Sequence, residues 1–138
     1  MREYEFRGLS KKTNEWVFGF LVIMEHLDKR HSHYFIISYG SNMNYGILLE
    51  DVLIEVIPET MGQFTGFYDK NGVKIFEGDI LCADGYWDIV IEFENGSFMC
   101  KALNKVQYVN KTINVPISNF DLLRLYEVIG NIHEKENE

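Results

Sequence analysis

Four groups of side chains in this 138-residue chain have the types and spacing that chemistry requires. Glu77 and Asp79 flank Gly78, the spacing of a carboxylate pair that could share general acid–base work or a divalent cation. His26, His31 and His33 crowd one polar segment. Neutral imidazole is the commonest metal ligand, and two histidines with one residue between them can share a strand face. Cys82 and Cys100 offer thiols. Tyr86-Trp87, Phe67-Tyr68 and Tyr108 offer aromatic area of the kind that protein interfaces use.

Each group also has a plainer explanation, and in each case the spacing favours it. Asp and Gly are turn formers, so Asp79 is expected to accept backbone N–H bonds in the turn while Glu77 stays solvated. A closed zinc site needs a fourth ligand, and both cysteines lie far from the histidines in sequence. A nucleophilic thiolate needs a basic neighbour or a helix N-terminus. Cys100 instead falls on the same hairpin face as Ile91 and Phe93, and Cys82 has nothing basic nearby. No nucleophile elbow, phosphate-binding loop or dinucleotide fingerprint occurs. The sequence therefore predicts no catalytic, cofactor-binding or metal-binding residue, and a protein that is not an enzyme. Core packing competes for the aromatics, because a small β domain needs their volume. Tyr86-Trp87, in a loop beside Gly85, is the best candidate for exposure.

Composition narrows the partners. A formal charge of −8 and a pI near 5.0 remove the long-range attraction to phosphate that drives general nucleic-acid binding. Basic residues are adjacent only at Lys11-Lys12 and Lys29-Arg30. The cysteines show neither metal-ligand nor redox-pair spacing. The N-terminus lacks an apolar signal core, and no window approaches the ~20 apolar residues of a membrane span. The expectation is a soluble protein of a reducing cytoplasm.

The elements that must position these groups are strands. At 14% aromatic and 46% hydrophobic, the chain suits half-buried pleated surfaces. Glu3–Leu9 alternates, with Tyr4 and Phe6 expected inward and Glu3, Glu5 and Arg7 outward. After a polar turn at Ser10–Asn14, the apolar run WVFGFLVIM (Trp16–Met24) completes an opening hairpin. Tyr34–Tyr39 and Leu53–Ile57 read as strands, the latter ended by Pro58. Phe64–Tyr68 and Val73–Phe76 flank Asp69-Lys70-Asn71-Gly72, a hairpin loop whose Asp can bond backbone two residues on. Asn95-Gly96 is the preferred dipeptide of a two-residue type I′ turn. It sets Phe93 opposite Phe98, Ile91 opposite Cys100 and Ile89 opposite Ala102, an apolar face that agrees with the turn's register. Val106–Val115 reads as a strand, Ser118–Tyr126 as one helical turn capped by Asn119 or Ser118, and Tyr126–His133 as a closing strand. The fold class is mainly β, with antiparallel hairpins forming a small SH3-like barrel or a bent-sheet core and at most short helical turns. The chain is read as a single domain (1–138), the alternative being an N-terminal β subdomain (1–58) packed on a C-terminal small barrel (62–134).

These residues resemble the YopX family, found mainly in phages and prophages of low-GC Gram-positive bacteria. The resemblance is carried by Phe6-Arg7 with the polar turn, by Pro58 to Gly66 (PETMGQFTG), and by Asp69 to Gly72. It continues through Glu77 to Ile80, Phe93 to Gly96 and Glu127 to Glu134 (EVIGNIHE). Phe67-Tyr68 departs from the family, which more often shows a leucine and a polar residue there, and the change enlarges an aromatic surface. The resemblance implies a mostly β protein of phage origin with no assigned biochemical role and no catalytic residues to carry over. Edge strands in small β domains must be covered, charged or paired with another chain. Long apolar strands, WVFGFLVIM above all, therefore point to self-association. The expected function is a non-enzymatic phage or prophage accessory protein that forms a homo-oligomer and binds a protein partner, without membrane or direct nucleic-acid binding. The alternatives are an acidic mimic of nucleic acid acting on a host DNA-binding protein, and an enzyme whose site the sequence does not display.

Overall fold

The computed structural model describes residues 3–25, 32–38, 52–103 and 113–134. The polar segment Glu25–Ser32, whose composition predicts a loop, the helical turn that the sequence allows around Leu49–Val52 and the strand beginning at Val106 fall largely outside these residues, as do His26, His31 and Tyr108. The chain divides into two compact units, Met1–Phe64 and Thr65–Glu138. Among the described residues the regular structure is antiparallel β with short 3-10 turns. No helix among them is long and apolar enough to cross a membrane.

In the first unit, β1 (Phe6–Leu9), β2 (Trp16–Glu25), β3 (Ser32–Ser38) and β4 (Leu53–Glu55) lie in the order β4-β3-β2-β1. Gly62 and Gln63, which begin β5 (Gly62–Tyr68), pair with Arg7 and Phe6 on the far side of β1. WVFGFLVIM is therefore an interior strand. β1 pairs with it from Trp16 to Gly19, and β3 from Gly19 to Glu25. Its glycine is required: a Cβ on Gly19 would sit 1.9 Å from the Ile37 carbonyl oxygen. Gly8 is likewise pressed on Val56, where a Cβ would meet the side chain at 2.9 Å.

The alternation in β1 runs opposite to expectation. Glu5 and Arg7 are buried, and Tyr4 is more than half exposed. Arg7 lies with its guanidinium 4.6 Å from the Trp16 ring centroid. Its long stem and flat head cover an aromatic face, so a charged residue occupies the inward position that pattern alone reserves for an apolar one.

In the second unit, β5 continues beside β6 (Lys74–Phe76). A five-stranded sheet follows in the order β10-β9-β8-β7-β11, formed by β7 (Asp79–Cys82), β8 (Ile89–Glu94), β9 (Ser97–Ala102), β10 (Asn114–Pro116) and β11 (Glu127–Asn131). Asn95 and Gly96 take φ of 52° and 79°, and β8 and β9 pair in the register their turn dictates: Phe93 with Phe98, Ile91 with Cys100, Ile89 with Ala102. Ile75, Leu81, Ile89, Ile91, Cys100, Ile117, Leu123 and Tyr126 form one buried cluster. Among the described residues the sheet ends on β10 and β11 and no barrel closes; the bent-sheet alternative is the one that forms. A register shift between Val128 and Gly130 marks a bulge in β11, the usual means of bending a strand. The expected helical turn is two 3-10 turns, Ile117–Asn119 and Asp121–Leu125. Neither Ser118 nor Asn119 caps them: the flanking residues are Pro116 and Phe120, with no side-chain cap bond.

Candidate functional site

The carboxylates of the second unit shape its backbone. In the reversal at Glu77-Gly78-Asp79, Asp79 is almost fully buried and its Oδ2 accepts the Phe76 N–H at 2.8 Å. Gly78, at φ 92°, donates its N–H to Ile91 O (2.7 Å) and accepts the Ile132 N–H (2.9 Å). Asp79 is thus a turn carboxylate. Asp69, 7% exposed, does more. Its Oδ1 accepts the N–H groups of Asn71 (2.8 Å) and Val73 (2.9 Å), and its Oδ2 accepts that of Val128 (2.9 Å). Burial pushes its pKa up, but the bonds from Val128, Val73 and Asn71 outweigh burial and hold it below the ordinary carboxylate range. The bond to β11 is invisible to local reasoning because its partners lie 59 residues apart. Among the described residues no group of three or more His, Cys, Asp or Glu is placed to hold a metal ion.

Of the three histidines only His33 is described, and it belongs to a cluster the sequence did not reveal. Its Nδ1 lies 2.7 Å from Glu55 Oε2, which also accepts from Lys11 Nζ at 2.9 Å. β3, β4 and the β1–β2 turn supply one side chain each. His33 and then Lys11, as hydrogen-bond donors, hold the Glu55 carboxyl below its usual range. A depression of about 580 Å³, lined in part by Lys11, Thr13, Val17, Leu53 and Glu55, borders the cluster on one side. Another of about 410 Å³, lined by Met24, Glu25, His33 and Phe35, borders it on the other. A carboxylate-held histidine is half of a general-base pair. Among the described residues, the lining of the groove beside it includes no hydroxyl or thiol nucleophile, and Glu25 is its one further polar side chain. The arrangement ties edge strand β4 to the turn, as an ion-pair latch would.

Both cysteines are unpaired thiols. Burial pushes Cys100 up to about 12. Cys82 is raised by desolvation and by the negative charges of Glu127, Asp88 and Asp84. Both environments work against a thiolate nucleophile at neutral pH.

The aromatic candidates separate cleanly. Phe67 packs against the buried cluster, whereas Tyr68 and Tyr86 are about half exposed. The loop carrying Tyr86 and Trp87 is tightly held. Tyr86 donates its N–H to Ala83 O (3.0 Å), and the fully buried Tyr126 donates its hydroxyl proton to Trp87 O (2.7 Å). The Tyr86 ring leans on the Tyr126 ring at 6.4 Å between centroids, and Phe120 supports Tyr126 at 5.4 Å. Asp84 and Asp88, both exposed, flank the pair. The loop is a pre-positioned aromatic projection with an acidic border.

A search of curated proteins finds no match. Among solved structures, the crystal structure of protein EF1440 from Enterococcus faecalis is similar at 24% identity, over 97% of this chain and 96% of that one, with a TM-score of 0.48. The family model described as YopX protein matches residues 5–137, which takes in both units, the Asp69 loop, the Asn95-Gly96 hairpin and the closing strand. The chain belongs to the YopX family.

Proposed function

We propose that this chain is a non-enzymatic accessory protein of phage or prophage origin that self-associates and binds a protein partner in the cytoplasm of a bacterial host. One observation carries the reading: the Tyr86–Trp87 loop presents an aromatic ring that is 46% exposed on a backbone pinned by the buried Tyr126 hydroxyl. Aromatic side chains held rigid in the free protein make good interface anchors, because little entropy is lost when a partner covers them. Asp84 and Asp88 beside them suit a partner surface bearing Lys or Arg, which can pair with carboxylate and stack on the tyrosine face. Self-association is assigned to the face of β2 that carries Phe18, Phe20 and Met24, all exposed and on alternate positions, since the pairing edge of that strand is occupied by β1 and β3.

The test is affinity purification from lysogenic or infected cells, with native and Tyr86→Ala proteins side by side and light scattering on each. The native protein should retain a defined partner. The variant, still folded by circular dichroism, should hold it roughly thirtyfold more weakly, as loss of a hot spot of about 2 kcal/mol requires. Phe20→Ser should lower the oligomer mass. A protein that stays monomeric at high concentration, or a partner retained equally by the Tyr86 variant, would remove the corresponding half of the proposal.

A further inference from the structure

The chain contains two Asn-Gly dipeptides, Asn71-Gly72 and Asn95-Gly96, and the fold treats them in opposite ways. We infer that Asn95 is a site of spontaneous covalent modification, deamidation through a cyclic imide, and that Asn71 is protected from the same reaction. The chemistry needs only the chain and water. The Gly nitrogen gives up its proton and attacks the Asn Cγ, so an N–Cγ bond forms and the Cγ–Nδ2 bond breaks. The Nδ2 group leaves as ammonia, taking up a proton. Water then opens the five-membered imide at either carbonyl, which yields aspartate or isoaspartate.

Both dipeptides are exposed, so water access does not distinguish them. Hydrogen bonding does. The attacking nitrogen at Gly72 is occupied: its N–H donates to Asp69 O at 3.0 Å. Asn71 is held at both ends, its N–H by Asp69 Oδ1 (2.8 Å) and its Nδ2 by Glu127 Oε2 (3.3 Å). Asp69 is itself fixed by Val128, so the loop cannot rearrange without releasing β11. At the other dipeptide, the hydrogen bonds found among the described residues include none from the Gly96 N–H and none from the Asn95 side chain. The tip hangs on the ladder that resumes at Glu94 and Ser97, so its nitrogen can be deprotonated and the ring can close after local opening of a single turn.

The two products act differently. Aspartate tolerates the left-handed φ of 52° at this position and would keep the turn. It adds a negative charge next to Glu94, a carboxylate already shared through Lys101 with Glu92. Isoaspartate inserts a methylene into the main chain, and a two-residue loop cannot absorb that without loss of the Phe93–Phe98 register.

The experiment is peptide mapping by mass spectrometry of the full chain incubated at mildly alkaline pH, once folded and once in denaturant. In denaturant the two asparagines should convert at similar rates. In the folded protein Asn95 should convert faster than Asn71 by on the order of tenfold or more, because several backbone and side-chain bonds must open first at Asn71. Asp69→Asn should narrow that gap by loosening the Asn71 loop while Asn95 is unchanged. Equal folded rates, or faster loss at Asn71, would overturn the inference.

Discussion

The two units are of similar length yet are held together differently. Among the described residues, the first buries four apolar side chains, Ile36, Val52, Val56 and Phe64; the second buries eleven, most of them in one cluster around Ile91, Leu81 and Tyr126. Among its described residues the first unit is therefore held more by backbone pairing and by polar ties. Thr60 Oγ1 accepts the Leu9 N–H at 2.9 Å and donates to Ile57 O at 2.6 Å, Ser10 Oγ accepts from Lys12 and Thr13, and Glu55 gathers His33 and Lys11. Burial is cooperative and non-directional, whereas hydrogen-bonded ties contribute about 1 kcal/mol apiece. A β protein can thus place a packed body and a lightly packed, pairing-dependent region in one chain.

The largest expected effect falls on the packed body. Leu81→Ala should cost about 2–5 kcal/mol, as deletion of a fully buried leucine does, and hydrogen exchange should report the loss on β7, β8 and β11. A cost below about 1 kcal/mol would contradict the cluster's importance. Next is the backbone approach in the first unit. Gly19→Ala should cost about 1–3 kcal/mol, because its Cβ would drive into the Ile37 carbonyl, with exchange rising first between β2 and β3. If the slowed amides of β8 and β9 loosen equally, the contrast between units fails.

The smallest effects are electrostatic and appear in acid. Asp69 and Glu55 both have depressed carboxyl pKa values. Each therefore contributes stability that is complete above the unfolded value, near 3.8 and 4.5 respectively, and is lost as pH falls through the folded one. Asp69→Asn should flatten the acid limb of an unfolding titration and lower stability at neutral pH by about 1–3 kcal/mol, since backbone N–H groups are left badly matched. Glu55→Gln, at a partly exposed pair, should change stability by less than about 1 kcal/mol. A larger loss from Glu55→Gln than from Asp69→Asn would reverse the comparison.

What the sequence disclosed depended on the range of the interaction. The hairpin at Asn95-Gly96 was legible to the residue, because turn chemistry and binary pattern specify the same register. The bond from the Asn71 N–H to Asp69 was legible for the same local reason, whereas the one from Val73, four residues on, was not. Arg7 misled the pattern: alternation classes it as polar, while its stem and flat guanidinium lie against Trp16. The interior position of WVFGFLVIM depends on which strands flank it, and no local signal encodes strand order. The His33–Glu55–Lys11 cluster draws on three segments, with Lys11 and Glu55 separated by 44 residues. His33 stood out only as one of three neighbouring histidines, Glu55 and Lys11 gave no sign of joining it, and only the order β4-β3-β2-β1 brings the three together.

The bond from Val128 to Asp69 also sets a schedule. A ribosome adding about 5–20 residues per second needs roughly 3–12 s to travel the 59 positions between them. For that interval the nascent Asp69 loop lacks the amide that completes it, and β7 lacks its neighbour β11. The packed body is thus completed only once β11 has been made, and until then its sheet carries an unpaired margin along β7.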